Sequence, residues 1–312
     1  MNLPNYKDGS IVNLMSSIAQ SFGSRTQYNP LKILPPSRIR KYKNVVLMII
    51  DGMGYQYLKR KEKEDIILNS HMVGSMTSVF LPTTASAITT FLTGVAPQQH
   101  AFTGWFMNLK EVGTVSAILP FVPRFGGPSF GTYNIDVKDV LDQKSFSSKI
   151  KAQNFTINKT SITNSVFSKM MAKDSKALAY ESLNGFFRQI NKAINYSNKR
   201  KYIYAYWPEL DSLNHEHGVE HKRSEKHFYE IERKLRYFSK NLKKSNTLLI
   251  ITADHGFVNT PPRKVIKLED HPKMKECLTL PLCGEGRVAY CYVHPSKARE
   301  FEGYVRNKLG KY

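Results

Sequence analysis

Hydroxyl side chains are concentrated in one short stretch of this chain of 312 residues. The segment LPTTASAITTFLTG, residues 81–94, contains five threonines and one serine. A threonine hydroxyl is a poor nucleophile near neutral pH, but a bound divalent cation lowers its pKa, as it does for water. At the start of a helix, Thr84 would also lie beside free backbone N–H groups that can donate to a phosphoryl oxygen. The stretch therefore predicts a nucleophile at Thr84 and a helix after it, with Thr83 as the nearest rival and Ser86 as a weaker one.

Aspartate and histidine residues that could bind a metal ion occur in three further motifs. These motifs are Asp51-Gly-Met-Gly54, Asp211-Ser-Leu-Asn-His215 and Ala253-Asp254-His255-Gly256. Each has a structural explanation of its own, because Asp-Gly is a common turn and Asp often caps a helix. Together, three aspartates and two histidines in one place would repel and lose solvation unless a cation lay among them. A pair of divalent ions is the simplest such cation, and mixed carboxylate and imidazole ligands suit zinc or manganese better than calcium.

Apolar, β-branched runs precede these motifs and predict the strands that position them. The runs are residues 44–50, 201–207 and 246–252. Continuous apolar runs separated by helical stretches are typical of central strands in a sheet covered on both faces. A fourth, strand-like run at 73–80 precedes the threonine-rich stretch. Because ligands bind beyond the carboxyl ends of the strands in open α/β sheets, four strand ends would bring the motifs to one edge.

Helical periodicity fills the intervals between the predicted strands. It appears at residues 178–196 and 220–242, the second with apolar side chains at three- and four-residue steps. Strand and helix alternate, which predicts an α/β fold with a mostly parallel central sheet flanked by helices on both faces. Residues 104–164, rich in Gly, Pro and aromatic side chains, fit this pattern less well. They are expected to be an excursion over the active-site face of one large domain.

The formal net charge of +21 is the compositional outlier. A basic surface can gather nucleic acid, anionic lipid or phosphorylated substrates. Lysine and arginine are spread along the chain, with local density at 199–201, 222–223 and 243–244. No aromatic-interleaved recognition motif accompanies them, which favours a solvated basic surface over a dedicated nucleic-acid site.

Compartment and redox state are suggested by what the sequence lacks. No run approaches the length of a membrane span, and the start lacks the basic-then-apolar order of a secretory signal, so the expected location is cytoplasmic. The cysteines are odd in number and lack CxxC spacing, which argues against disulfides and a zinc knuckle. They are Cys277, Cys283 and Cys291.

Taken together, the motifs resemble those of a known family. IIDGMG, PTT…TG followed by PQQH, ELDSLNH and TADHG occur in the same order and with similar spacing in the nucleotide pyrophosphatase/phosphodiesterase (type I phosphodiesterase) branch of the alkaline phosphatase superfamily. The resemblance extends over about residues 44–294. It implies a single alkaline phosphatase-like catalytic domain over 1–312, two divalent metal ions, usually zinc, and a small phosphorylated substrate such as a nucleotide or phosphodiester. It also implies that a threonine takes the phosphoryl group before water releases it.

The resemblance assigns roles by position. One metal ion would be held by Thr84, the nucleophile, with Asp51, Asp254 and His255. The second would be held by Asp211, His215 and a late histidine. We favour His271 for that place because it lies in a predicted loop, whereas His294 ends a predicted strand.

One departure from the family pattern bears on the substrate. Phosphodiesterase members carry an asparagine shortly after the His-Gly of the threonine motif, where it donates to a phosphate oxygen. Here the segment reads His100-Ala-Phe-Thr-Gly-Trp105, so that donor is missing unless Asn108 or another residue of the excursion supplies it. Trp105 is expected either to stack on a base or flat leaving group or to pack beneath the excursion.

Two alternatives to a phosphodiesterase therefore stay open. A phosphomonoesterase, a phosphonate hydrolase or a sulfate ester hydrolase would use the same site. A basic nucleic-acid-binding protein with a vestigial pocket is the reading from another class, and retention of every proposed ligand type argues against it.

Overall fold

The computed structural model describes residues 3–242 and 245–310 of the chain. The basic pair at 243–244 therefore lies outside the described residues. The strands are β1 Asn44–Ile50, β2 Phe106–Leu109, β3 Thr114–Ala117, β4 Val122–Pro123, β5 Gln153–Lys159, β6 Lys176–Tyr180, β7 Lys201–Trp207, β8 Thr247–Thr252, β9 Cys283–Glu285 and β10 Val288–Tyr290.

Helices occupy most of the intervals between the strands. They are α1 Ile11–Ser21, α2 Pro36–Arg40, α3 Tyr55–Lys59, α4 Ile67–Ser70, α5 Thr84–Thr93, α6 Pro97–His100, α7 Thr160–Thr163, α8 Val166–Met171, α9 Leu183–Ile194, α10 Glu209–His217, α11 Lys222–Leu242, α12 Pro272–Lys275 and α13 Ala298–Tyr304. Short 3₁₀ turns lie at Phe130–Tyr133, Val137–Asp139, Ser147–Lys149, Pro262–Lys264, Leu268–Asp270 and Pro295–Lys297, and a π-helical turn at Val305–Leu309 follows α13.

The central sheet is parallel throughout, in the order β6-β5-β7-β1-β8. β1 is completely buried and pairs with β7 on one side and with β8 on the other. In this register Ile50 lies opposite Trp207, and Ile49 lies opposite Thr252. The residues that follow these three strands therefore emerge at the same edge. Two predicted strands have the predicted bounds, and the third begins one residue later.

Alternate side chains of β1 enter two different apolar cores. Val46, Met48 and Ile50 pack in a cluster with residues of α9 and α11. Their neighbours Val45, Leu47 and Ile49 pack in a second cluster with residues of α1 and α5. A strand buried on both faces needs apolar residues at successive positions, which explains its continuous apolar run. The predicted α/β class, with helices on both faces of a mostly parallel sheet, is confirmed.

The prediction of a strand at 73–80 is wrong. This segment makes one isolated bridge, at Thr77, with the N-terminal segment around Ser10. Its backbone bonds there run from Ile11 N to Thr77 O, at 3.0 Å, and from Thr77 N to Gly9 O, at 2.8 Å. Because its partner is the N-terminal segment, it does not extend the central sheet. The threonine-rich stretch consequently enters the site from a loop.

The two helices predicted from apolar periodicity differ in how well their bounds agree with the structure. The range 178–196 begins inside β6, and its helix, α9, is Leu183–Ile194. The range 220–242 corresponds closely to α11, Lys222–Leu242.

The excursion predicted for residues 104–164 is shorter than expected. β5, at 153–159, is an inner strand of the central sheet. The sequence concealed it because Asn154, Thr156 and Asn158 alternate with apolar residues, although all three are buried. What precedes β5 contributes β2, β3 and β4 to a second, antiparallel sheet, in the order β10-β9-β2-β3-β4.

A third apolar cluster joins the region of this second sheet to α5. It includes Ala85 of α5 together with Phe102, Ile118 and Phe121. The helix that begins at Thr84 is thus packed on one side by the central sheet and on another by the antiparallel region.

Candidate active site

Two buried aspartates lie at the carboxyl edge of the central sheet. Asp51 directly follows β1 and is 2% exposed, and Asp254 follows β8 by two residues and is fully buried. Backbone amides hold Asp254, because the N–H groups of Gly52 and His255 donate to its Oδ1 at 3.1 and 2.9 Å. Tyr206, in the neighbouring strand β7, donates its hydroxyl to Asp51. Both carboxylates are therefore held in place by neighbouring strands.

Glycines let the two turns that carry these aspartates approach each other. Gly52 has φ of +71°, a conformation that residues with a Cβ rarely adopt. A Cβ on Gly54 would lie 2.5 Å from the Cα of Gly256, so the turns after β1 and β8 are in backbone contact. This contact places His255 next to Asp51.

The hydroxyl of Thr84 faces this pair of turns. Thr84 is the first residue of α5, and its Oγ1 lies 3.0 Å from Nε2 of His255 and 3.5 Å from Oδ2 of Asp51. Amides in the first turn of a helix have no acceptor inside the helix, so they are free to donate to an anion. The predicted nucleophile, helix start and acidic turn thus meet at one place.

The other threonines of the stretch serve the helix itself. Thr89 and Thr93 donate their hydroxyls to the carbonyls of Ala85 and Thr89, each at 2.7 Å. Thr90 instead contacts Nε2 of buried His100, at 3.1 Å. Burial lowers the pKa of His100 to about 3, so this imidazole is neutral and structural.

Three carboxylates surround His255. Its Nε2 lies 3.3 Å from Oδ1 of Asp51, 3.6 Å from Oδ2 of Asp254 and 3.8 Å from Oδ1 of Asp211. We call Asp51, Asp211, Asp254 and His255 the carboxylate cluster. Ligand atoms of Asp51, Asp254 and His255 lie within 4.8 Å of one another, which is close enough to share one metal ion.

Electrostatics within the carboxylate cluster are unfavourable without a cation. Burial, reinforced by the charges of Asp254 and Asp211, raises the pKa of Asp51 well above its usual value. Burial also raises the pKa of Asp211 to about 6, although His255 and His215 oppose this. For His255, burial lowers the pKa, but the neighbouring carboxylates outweigh it and the pKa is raised.

Three carboxylate oxygens of the carboxylate cluster have no hydrogen-bond partner among the described residues. Oδ1 of Asp51, Oδ1 of Asp211 and Oδ2 of Asp254 are buried and accept no hydrogen bond. Buried carboxylate oxygens without partners are costly, and a divalent cation satisfies several at once. Two or more carboxylates with an imidazole suit zinc or manganese. The residues present therefore fit a divalent metal ion.

The proposed ligands of a second metal ion are only partly brought together. Nε2 of His215 lies 3.5 Å from Oδ1 of Asp211, one turn away on α10. His271 is elsewhere, with its Nδ1 2.9 Å from the hydroxyl of Tyr304 and its ring beside a basic cavity of about 220 Å³. His294 contacts Ser296, at 2.8 Å. In the described ranges, neither late histidine forms an ion pair with the carboxylate cluster.

The two residues proposed to bind substrate lie in or beside the antiparallel sheet. Trp105 precedes β2, and its side chain packs against the third apolar cluster, as expected for a residue beneath the excursion. Asn108 lies within β2, opposite Val115. Neither position brings a side-chain donor into contact with Thr84.

Two residues that contact the site were missed in the sequence. Tyr206 lies inside an apolar run, where only the alternation of tyrosines in KYIYAYW could have pointed to an inward hydroxyl. Glu285 ends β9, and its Oε1 accepts hydrogen bonds from the Thr83 hydroxyl and from Trp105 N, the latter at 2.7 Å. An acidic residue in the loop-like segment Cys283-Gly-Glu-Gly carries no recognisable signal.

A comparison of the sequence with known families decides the class of this protein. Residues 45–311 match the family described as type I phosphodiesterase / nucleotide pyrophosphatase. The chain belongs to this family. Proteins of the type I phosphodiesterase family are metal-dependent hydrolases of phosphoric esters, and the geometry around Thr84 agrees with that chemistry.

Solved structures share the fold of this type I phosphodiesterase. Murine ectonucleotide pyrophosphatase/phosphodiesterase 5 superposes with a TM-score of 0.62 at 20% identity, covering 86% of this chain and 70% of that chain. An inactive threonine-to-alanine variant of the murine protein in complex with AMP gives 0.59 at 20% identity, with 86% and 70% covered. The human protein gives 0.60 at 19% identity, with 84% and 69% covered.

Curated protein sequences yield no significant match to this phosphodiesterase-family chain. Its described helices include none with both the length and the apolarity needed to cross a bilayer.

Proposed function

We propose that this protein is a two-metal phosphodiesterase or nucleotide pyrophosphatase with Thr84 as its nucleophile. The observation that carries the proposal is the position of Thr84 Oγ1, 3.0 Å from His255 and 3.5 Å from Asp51. An AMP complex of a murine relative, in a threonine-to-alanine variant described as inactive, supports a nucleotide-like substrate and a threonine at the centre of the reaction. The antiparallel sheet is proposed to be part of the same catalytic domain.

Ligands for the proposed metal ions follow from the carboxylate cluster. Asp51, Asp254 and His255, with Thr84, would hold one ion, and Asp211 with His215 would contribute to the other. His271, predicted as the last ligand, lies against Tyr304 and would have to move to reach Asp211. Zinc is the proposed metal and manganese the alternative, and either would supply positive charge that favours an ionised Thr84 and a departing oxygen.

The proposed reaction begins at the Thr84 hydroxyl. The Thr84 hydroxyl loses its proton, for which Oδ2 of Asp51, 3.5 Å away, is an acceptor. Oγ1 then attacks phosphorus and forms a phosphothreonine, or a nucleotidyl-threonine from a nucleotide diester, while the bond from phosphorus to the leaving oxygen breaks. Free amides at the start of α5 can donate to a non-bridging oxygen. Water cleaves the intermediate and restores the hydroxyl.

Replacing Thr84 with alanine tests this assignment. Thr84→Ala should keep the metal content near normal, because Asp51, Asp254 and His255 remain. It should lower turnover of bis-p-nitrophenyl phosphate and of p-nitrophenyl nucleotide esters by at least about a thousandfold, as expected for loss of a nucleophile.

Thr83→Val provides the matched control, since it removes the neighbouring hydroxyl and keeps Thr84. Turnover by Thr83→Val should persist, at a reduced rate if the contact with Glu285 matters. Near-normal rates in Thr84→Ala, or complete loss only in Thr83→Val, would show that the nucleophile is wrongly assigned.

A further inference from the structure

A glutamate from the antiparallel sheet is bound to the start of the nucleophile helix. Oε1 of Glu285 accepts the hydroxyl hydrogen of Thr83 and the backbone N–H of Trp105, the latter at 2.7 Å. Thr83 is the N-cap residue of α5 and immediately precedes Thr84. The Glu285 carboxylate is therefore held one residue away from the proposed nucleophile.

Close backbone contacts constrain the chain next to Glu285. Gly284 approaches Gly104 so closely that a Cβ on Gly104 would lie 2.7 Å from the Cα of Gly284. Gly284 itself has φ of +88°, and a Cβ there would lie 2.4 Å from the carbonyl oxygen of Val288. Because both glycines are required by this packing, the position of the next residue, Glu285, is tightly constrained.

The charge of Glu285 is not compensated locally. Both of its hydrogen-bond donors are neutral, and across residues 3–242 and 245–310 it forms no ion pair. The guanidinium of Arg124, on the neighbouring β4 side, donates to the carbonyl of Leu282 and lies over the ring of Phe106, 4.1 Å from its centroid. The negative charge of Glu285 is also a lesser contributor, after burial and nearer groups, to the raised pKa of Asp211 and of His255.

Phosphodiesters and phosphomonoesters differ in the negative charge that they bring to the active site. A phosphodiester carries one negative charge near neutral pH, whereas a phosphomonoester carries about 1.5 to 2, since its second pKa is about 6. The extra charge on a monoester has to be accommodated close to the phosphorus, beside Thr84. Like charges close together at a partly buried site repel more strongly than they do in bulk water.

We propose that Glu285, fixed by Thr83 and Trp105, selects phosphodiesters over phosphomonoesters by repelling the second negative charge of a monoester. This inference rests on the proposed function and specifies its substrate class.

Glu285→Gln is the decisive variant because glutamine keeps an acceptor oxygen for Thr83 and Trp105 while removing the charge. The measured quantity is kcat/KM for p-nitrophenyl phosphate divided by kcat/KM for bis-p-nitrophenyl phosphate. In Glu285→Gln this ratio should rise about tenfold, equivalent to about 1.4 kcal/mol. Glu285→Asp, which retains the charge, should stay much closer to the wild-type ratio.

Glu111→Gln is the matched control, since it removes the same charge from the exposed β2–β3 turn of the same sheet. Its ratio should equal that of the wild type. A ratio unchanged in Glu285→Gln, or raised equally in Glu111→Gln, would overturn the proposal. Melting temperatures of all variants identify any that are merely unfolded.

Binding measurements separate this inference from the proposed function. Isothermal titration of metal-loaded Thr84→Ala, with and without Glu285→Gln, gives Kd for phenyl phosphate and diphenyl phosphate without turnover. The second substitution should tighten phenyl phosphate relative to diphenyl phosphate by about tenfold. If wild-type protein hydrolyses neither ester, the proposed function fails, and the Kd ratio still tests Glu285. No change in that ratio, or no binding of either ligand, would reject the selection role.

Discussion

At the residue scale, the carboxylate cluster is largely buried and only partly satisfied by hydrogen bonds. Asp51 and Asp254 are almost completely buried, and one oxygen on each has no hydrogen-bond partner. A raised carboxylate pKa in the folded state means that the folded protein binds this proton more tightly than the unfolded chain does. The contribution of such a group to stability is therefore most favourable at low pH and is lost as the pH rises through the folded pKa.

The free energy of unfolding of the metal-free protein should fall as the pH rises from about 4 to about 8. Asp211 makes the folded state less stable as the pH rises from its ordinary pKa of 3.8 to about 6. The raised pKa values of Asp51 and His255 change the stability in the same direction. The change should be a few kcal/mol, at about 1.4 kcal/mol per tenfold change in proton affinity. Thermal melts in chelator across this pH range measure it.

Added zinc should oppose this loss, because it replaces the missing protons with a bound cation. The gain in melting temperature should be larger at pH 8 than at pH 5. Asp51→Asn should flatten the pH dependence in chelator and reduce the gain from zinc. Equal stability of metal-free protein at the two pH values would contradict the electrostatic account.

At the element scale, the site depends on how closely two turns approach. The turn after β1 and the turn after β8 contact each other through Gly54 and Gly256, and they present Asp51 and His255 to the start of α5. These strands are neighbours in the sheet, so the turns are pressed together by the pairing of β1 with β8. Any added side-chain atom in that contact must separate Asp51 from His255.

Gly54→Ala should therefore impair the site more than the fold. Its Cβ would lie 2.5 Å from the Cα of Gly256, a backbone atom that cannot turn aside. We expect at least about a tenfold loss of kcat and weaker zinc binding, because a displacement of this size moves ligands out of reach of one another. Metal titration and steady-state kinetics measure both effects.

Gly303→Ala is the control for this change, since a Cβ at helical Gly303 meets nothing within 4 Å. It should leave activity unchanged and stabilise α13 slightly, by up to about 1 kcal/mol. Normal zinc affinity and kcat in Gly54→Ala would show that the contact between the turns does not hold the ligands.

At the scale of the whole molecule, the chain combines an acidic site with a formal net charge of +21. The field of such a charge draws anionic substrates toward the protein and weakens as salt shortens the Debye length. Within this positive field, the carboxylate cluster supplies local negative charge suited to a cation. A net positive charge combined with an acidic site is consistent with a hydrolase of anionic esters.

The value of kcat/KM for a nucleotide ester should consequently fall several-fold between about 20 and 200 mM salt, with a smaller change in kcat. Stopped-flow or initial-rate kinetics at low substrate concentration detect this. Duplex DNA should bind with steep salt dependence and equally well to wild type and Thr84→Ala. Tight DNA binding without any metal-dependent hydrolysis would instead favour the nucleic-acid-binding alternative.

Local sequence patterns are sufficient to predict two of the central strands that position the site. Residues 44–50 and 201–207 are strands because a strand covered on both faces needs an unbroken apolar run, and such runs are visible in any single sequence. The motifs of the site contain their own signals, namely the Asp-Gly turn after residues 44–50 and the hydroxyl-rich helix start at Thr84. Thr84, Asp51, Asp254 and His255 could therefore be predicted to meet.

Long-range contacts decided the rest. The segment 73–80 resembles a strand but pairs with the N-terminal residues, β5 is buried despite its polar residues, and His271 bonds to Tyr304 instead of joining Asp211. Glu285 reaches Thr83 across 202 positions of sequence. The sequence by itself determined the α/β class and the side chains that can bind metal, because periodicity and ligand chemistry are local properties. Only the tertiary structure decided that the carboxylate of Glu285 lies against Thr83, because that contact depends on how the two sheets pack.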